Sequence, residues 1–283
     1  MLTALKIEEY PRRGIAGLLS LLRHNRIRVE HLYCDSVAVR SVVYEHRRSR
    51  ISWASIDRFV QAQRDSLLCP EGLELPPESG YRRFVSRELN RRMCENAALH
   101  LLRGAAPARV RTVLIDAEGE HLSLCPYLAD ETDSLLAVTR SPQLYLEEAD
   151  RILEESGAVV RVSTGDADLS DADLIIAPAA LREDIRCASD AVILSGEPPR
   201  ARQNAPVIYD YTFDLPDKYR SLKPPYLDEM YFAEALYTLG GIHELGSSVF
   251  RRCYDGRILH TRASLLELLQ TRLHSREKLT AKS

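Results

Sequence analysis

From residue 110 onward the chain alternates short apolar runs with polar or helically patterned stretches. The runs cover residues 110–115, 135–139, 159–162, 174–177, 191–194 and 207–211, and they are rich in Val, Ile, Leu and Ala with little polar alternation. Runs of this kind mark strands buried on both faces, as in a parallel sheet built from consecutive βα units. The best-marked helix between them opens at Ser141 as N-cap, has Pro142 in its first turn and stops at Gly157. Its spacing directs Leu144, Ala149, Ile152 and Leu153 inward. The crossover over residues 163–173 is short and acidic, suited to a loop or a single turn. Further on, residues 213–225 read as loop and 226–239 as a helix returning to the sheet. Leu265, Leu266, Leu268, Leu269 and Leu273 then form a last amphipathic helix. Its leucine face suits packing on its own domain and also suits pairing with a second copy as a homodimer.

The first hundred residues are patterned differently. Leu18, Leu19, Leu21 and Leu22 lie in a helical stretch over residues 14–24, while 29–34 and 37–44 are β-branched and aromatic enough for strands. Ser52 suits an N-cap for a helix running to about Leu68, closed by Pro70 and Gly72. Ser86 opens a second helix in which Leu89, Met93, Ala97 and Leu101 recur every four residues, ending near Gly104. Residues 104–109, with Ala105, Ala106 and Pro107, read as a linker. The fold class is therefore α/β: a mixed α+β N-terminal domain over residues 1–104, then a larger parallel-sheet domain over 110–283 with a helical C-terminal extension.

Composition narrows the setting. Of 283 residues, 45% are hydrophobic and 28% charged, ordinary for a globular chain. The net charge of −3 divides into +8 over residues 1–111 and −11 over 112–283. The arginines behind the basic half, Arg47, Arg48, Arg50, Arg82, Arg83, Arg91 and Arg92, are scattered over several elements. That dispersal favours a solvated surface over a nucleic-acid-binding stripe. No apolar run reaches the ~20 residues needed to cross a bilayer, and the first thirteen residues carry charges where a signal peptide would be apolar. A cytoplasmic, membrane-free protein is expected. Cys34, Cys69, Cys94, Cys125, Cys187 and Cys253 are far apart, with no C-x-x-C pair, which predicts free thiols and no zinc site.

In a parallel α/β sheet the ligand lies beyond the carboxyl ends of the strands, so the candidate chemistry follows each apolar run. After the first run comes Asp116-Ala117-Glu118-Gly119-Glu120-His121, and after the second Thr139-Arg140-Ser141; the fourth ends Ala177-Pro178. A dinucleotide turn is glycine-rich so that backbone N–H groups can approach a pyrophosphate. Here one glycine stands among three carboxylates. Like charges about 4 Å apart at an effective dielectric near 20 cost roughly 4 kcal/mol, so these carboxylates predict weak or absent conventional dinucleotide binding. Arg140 occupies the position where an arginine accommodates a ribose 2′-phosphate, which favours NADP among the dinucleotides.

These segments carry a resemblance. Thr139-Arg140-Ser141 looks like the Asn-Arg-Ser/Thr that ends the second strand of shikimate dehydrogenases, A-D-L-I-I-A-P at residues 172–178 resembles their A-D-L-I-I-N-A-T-P, and residues 207–216 are similar to their last strand. The resemblance spans about residues 110–245 and implies a Rossmann-like NAD(P)-binding domain. It implies Asp116, Ala117, Gly119, Thr139, Arg140, Ser141, Ala177 and Pro178 as the residues around a cofactor. The family's N-V-T-x-P-x-K stretch is missing and Lys6 is the only lysine in the N-terminal region, so the resemblance bears on fold rather than activity.

Other readings start from the same residues. Asp116-Ala117-Glu118-Gly119 followed by Thr139 is similar to the D-x-D-G and later Ser/Thr of haloacid-dehalogenase-type phosphatases, with Glu118 in place of the second aspartate. Asp166, Asp168, Asp171 and Asp173 lack the glycine and closing glutamate of a calcium loop and read as a solvated acidic loop. His243, in Gly-Gly-Ile-His-Glu, has no evident partner. The expectation is a protein that binds a nucleotide-like or other small anionic ligand in a cleft between domains, as a degenerate NADP-dependent oxidoreductase or as a non-catalytic regulatory or interaction protein. No metal site is expected.

Overall fold

The computed structural model describes residues 1–9, 25–46, 51–105, 110–165, 167–247 and 250–280. The helix expected over residues 14–24, linker residues 106–109, Arg47, Arg48, Arg50 and Asp166 lie outside them. The chain forms two compact units, Met1–Ser86 with Leu215–Leu245, and Arg87–Asp214 with Gly246–Ser283. The division differs from a single cut at a linker after Gly104. Helix Glu88–Gly104 packs on strands of the larger unit, and residues 215–245 join the N-terminal strands.

The smaller unit is built on three strands, β1 (Leu2–Glu9), β2 (Arg26–Cys34) and β3 (Val37–His46), ordered β1-β3-β2. β2 and β3 form a hairpin whose turn holds Asp35 at φ 51°, while β1 pairs with β3 in parallel. The apolar side of this sheet, with Leu5, Val42 and Tyr44, packs on Ile56 and Val60 of α1 (Trp53–Val60) and on Leu67 and Tyr81. The helix expected to run from Ser52 to Leu68 tightens instead to a 3-10 segment after Val60, with a kink at Gln63.

The larger unit holds β4 (Arg111–Ile115), β5 (Ser134–Val138), β6 (Val160–Ser163), β7 (Leu174–Ala177), β8 (Val192–Ser195), β9 (Val207–Thr212), β10 (Arg252–Tyr254) and β11 (Leu259–Thr261). They form one sheet ordered β11-β10-β9-β8-β7-β4-β5-β6. The six strands read from the apolar runs are all parallel to their neighbours, and β10 and β11 extend the β9 edge antiparallel. Numbered by position in the chain, the six parallel strands lie in the order 3-2-1-4-5-6, which is the Rossmann arrangement; its switch point falls between β4 and β7. The short β10–β11 hairpin carries too little apolar pattern to be seen in the sequence.

The two faces of this sheet are covered differently. Arg161, Leu136, Val113, Ile175, Ile193 and Val207 lie in register across one face. Val113, Ile175, Ile193 and Val207 pack there under Leu169, Ala172, Leu181, Cys187, Ala191 and Ala205, all from the connections between strands. Those connections, 164–173, 178–191 and 196–206, contain no helix among their described residues, a departure from regular βα alternation. Helices α2 (Glu88–Gly104), α3 (Cys125–Asp130), α4 (Pro142–Ser156) and α7 (Arg262–Thr280) pack on strands of the sheet and contribute nothing to that cluster. Besides α1, the described residues of the smaller unit form α5 (Asp217–Arg220) and α6 (Glu229–Thr238), the latter capped by the Asp228 carboxylate, which accepts from the N–H groups of Met230 and Tyr231.

Helix α4 stops at Gly157, φ 75°, where only glycine is unstrained. Its inward face differs from the expected one: Tyr145, Ala149 and Ile152 are buried, whereas Leu144 and Leu153 are 47% and 50% exposed. Ser141 makes no side-chain cap; instead its N–H donates to Thr139 Oγ1 at 3.0 Å. On α7, Leu265, Leu269 and Leu273 are buried in their own unit. Arg272, 6% exposed at its side chain, reaches Asp190 at 2.7 Å and Asp173 at 3.2 Å, and Arg276 also bonds Asp173. The acidic loop thus supplies an anchor for the C-terminal helix through Asp173. All six cysteines are unpaired, Cys34 half-buried and the rest buried. No described helix is long and apolar enough to cross a membrane.

Candidate functional site

The turn after β4 forms because Asp116, the first residue beyond the apolar run, points its carboxylate back under its own loop. Oδ1 accepts from the N–H groups of Gly119 at 3.1 Å and Glu120 at 3.2 Å, and Oδ2 from the His121 N–H at 2.7 Å. Tyr145 Oη, one turn into α4, donates to Oδ2 at 2.6 Å. Asp116 is 3% exposed and Tyr145 fully buried. Burial, reinforced by the Asp116 bond, pushes the Tyr145 hydroxyl well above its ordinary range. Gly119 sits at φ 80°, a left-handed conformation that lets the loop turn back over the carboxylate. The neighbouring Cys125 thiol is pushed up to about 12, first by burial and then by the charges of Glu148 and Asp116.

This arrangement corrects one expectation. Asp116 does not project a charge outward; it takes up the backbone donors of its own turn, which is how a short carboxylate loop avoids orphaned N–H groups. Glu118 and Glu120 are the exposed acids, with Glu118 3.9 Å from Arg140 and Glu120 3.6 Å from Arg91. The hydrogen bonds also engage the carboxylate that a phosphatase-type reading would use as nucleophile.

Around the turn, the structure brings most of the expected residues together. The Arg140 N–H donates to the Ala117 carbonyl at 3.0 Å, and a side chain added at Gly119 would meet Ser141 and Leu144. Thr139 is buried, its N–H on the Ser163 carbonyl. The Arg140 guanidinium stays exposed, 3.6 Å from Glu183. Ala177 ends β7, paired with Ser195 of β8, and Pro178 follows it. The Gly196 N–H bonds the Ala177 carbonyl, and a Cβ on Gly196 would lie 2.0 Å from the Pro178 oxygen and 2.8 Å from Arg91 Cα.

Three polar residues of α2 also gather here: Asn90 and Glu95, which the sequence did not single out, and Arg91, which it read only as part of a dispersed basic surface. Asn90 of α2 donates to the Gly196 carbonyl at 2.5 Å and accepts from the Tyr211 N–H at 3.0 Å. Glu95, also on α2, holds His121 Nδ1 at 2.7 Å; His121 Nε2 is buried without a hydrogen-bond partner among the described residues. Arg91 pairs with Glu197 at 2.5 Å. The only cue to this group was polar residues interrupting the apolar face of a helix, and that helix was placed in the other domain. His243 is exposed, its ring against Tyr237. No group of His, Cys, Asp and Glu among the described residues is arranged to hold a metal.

Strand order and switch point define the larger unit as a Rossmann-type α/β domain. No protein-family model and no curated protein matches the chain. Among solved structures it is similar to the L-tryptophan dehydrogenase of Nostoc punctiforme, at 9% identity and a TM-score of 0.29, covering 98% of this chain and 89% of that one. It is also similar to the ligand-free 5-ketofructose reductase of Gluconobacter sp. strain CHM43, at 11% identity and a TM-score of 0.32, covering 95% of this chain and 98% of that one. The class of the domain therefore rests on its strand order.

Proposed function

We propose that this protein binds a small anionic, nucleotide-like ligand at the carboxyl edge of β4 and β5, through a Rossmann site that no longer accepts a dinucleotide in the usual way. The observation that carries this reading is the position of Asp116. The N–H groups of Gly119, Glu120 and His121, which in a dinucleotide site would face a pyrophosphate, are engaged by a protein carboxylate. A diphosphate would have to displace that buried carboxylate and expose a second charge to its own. Arg140 remains as the exposed cation after β5, where a ribose phosphate would lie. The role that follows is binding or regulation, with hydride transfer lost along with the pyrophosphate cradle.

Calorimetry on the intact protein with NAD, NADP and adenosine 2′,5′-bisphosphate tests this. The bisphosphate binds, and Arg140→Ala weakens it by about tenfold, the loss of one ionic contact. Neither dinucleotide binds tighter than roughly millimolar. A low-micromolar dissociation constant for NADP, weakened by Arg140→Ala, would establish an ordinary cofactor site and overturn the proposal.

A further inference from the structure

The two edges of the three-stranded sheet are finished differently. Along the outer edge of β1 the chain returns at Leu67 and Leu68. The Leu5 N–H donates to the Leu68 carbonyl at 2.7 Å, and the Leu68 N–H to the Thr3 carbonyl at 2.9 Å. The outer edge of β2 has no such cover: among the described residues β2 pairs with β3 alone, and none of its nine residues is buried. The larger sheet ends on strands of only three and four residues, β11 and β6. β2 is therefore the longest open edge among the described residues. Its outward N–H and C=O groups form a template for one more strand.

The side chains of β2 select the partner. Alternation puts Arg28 and Glu30 on one face, and Ile27, Val29 and His31 on the other, where Ile27 and Val29 border the core beneath α1. When two copies of β2 pair antiparallel about a two-fold axis, each register is centred on one residue facing its own counterpart. Centred on Arg28 or Glu30, the pairing opposes like charges at the axis; centred on Ile27, it sets Arg26 against Arg28; centred on His31, it sets Arg28 and Glu30 against Cys34 and Leu32. Centred on Val29, it sets Arg28 of each copy against Glu30 of the other, Ile27 against His31, and Val29 against Val29. Arg28 lies 3.2 Å from Glu45 and 3.6 Å from Glu8 in its own sheet and is still 50% exposed, with room for a further carboxylate. Glu30 enters no ion pair among the described residues and is exposed. We propose that the protein pairs with a second copy of itself through β2, antiparallel and centred on Val29, joining two three-stranded sheets into one. The leucines of α7 that are buried in their own unit, Leu265, Leu269 and Leu273, take no part. This surface is separate from the site proposed at Arg140, and its failure would leave that reading untouched.

Sedimentation of the full chain over a range of concentrations tests the pairing. Monomer and dimer exchange with a dissociation constant on the order of ten micromolar, as suits an interface of modest area. Glu30→Arg brings a cation against Arg28 of the second copy and weakens the dimer by about tenfold or more, with the circular dichroism of the chain unchanged. Val29→Cys, whose thiols would face each other at the axis, cross-links to itself under mild oxidation, whereas His31→Cys and the natural chain do not. The proposal is overturned if the chain stays monomeric at about 200 micromolar, if Glu30→Arg dimerises as tightly as the natural chain, or if His31→Cys cross-links as readily as Val29→Cys.

Discussion

At the carboxyl end of the central strands the Asp116 carboxylate is matched inside the protein, whereas at the amino end of the same strands Arg161 and Asp133 enter no ion pair among the described residues. Asp116 has four donors on its two oxygens, and Gly196 is so tightly enclosed that a single added carbon would collide with backbone. Arg161 and Asp133 border an open cleft and enter no ion pair among the described residues. The usual ligand end of a Rossmann sheet has thus been committed in part to holding the fold. The end usually given to packing keeps exposed charge that no ion pair among the described residues takes up. A group can serve the fold or a ligand, and the count of its internal partners shows which.

The comparison predicts that substitutions at the closed end cost stability and those at the open end do not. The largest effect is expected for Gly196→Ala, whose methyl would meet the Pro178 oxygen and Arg91 Cα; a loss of about 3 kcal/mol or more in urea unfolding is expected, and a loss below about 1 would mean the loop yields easily. Asp116→Ala strands three N–H groups and the Tyr145 hydroxyl and should cost roughly 3 kcal/mol, with Tyr145→Phe removing one of those four bonds at about 1 kcal/mol. If Tyr145→Phe cost as much as Asp116→Ala, the carboxylate would owe its position to the tyrosine alone.

At the open end, Arg161→Ala and Asp133→Asn should leave the unfolding midpoint unchanged within error, since surface substitutions of this kind remove no buried partner. A clear drop in midpoint would place these charges in the fold after all. The smallest effect concerns Asp168. Its carboxyl is held below the ordinary 3.8, chiefly by the hydrogen bond from the Ser170 backbone and then by the Ser170 hydroxyl. A carboxyl depressed in the folded state adds stability that is fully present above its unfolded value and is lost as pH falls through the folded one. Unfolding measured between about pH 5 and pH 2 should therefore show a slightly shallower acid loss for Asp168→Asn than for the natural chain.

Much of the larger unit could be read directly from residue order. The six parallel strands lie within a residue or so of the apolar runs, because a strand buried on both faces advertises itself without reference to anything distant. Helix α4 begins at Pro142 and ends before Gly157 as their local backbone preferences demand. The residues of the first two turns were legible as neighbours once the strand order was inferred.

Tertiary structure decided the rest, through contacts between residues far apart in the chain. Asp116 turns inward onto the N–H groups of its own loop, and Tyr145, 29 residues on, adds a buried hydroxyl that only packing brings to it. Asn90 and Glu95 reach Gly196 and His121, beyond the carboxyl ends of β8 and β4, only because α2 packs on β7, β8 and β9. Residues 215–245 leave the sheet to complete the N-terminal strands, with Tyr226 bonding Ser41 across 185 positions. Local propensity sets where an element starts and stops, whereas burial and hydrogen-bond satisfaction, which depend on which distant groups meet, set what its polar residues do.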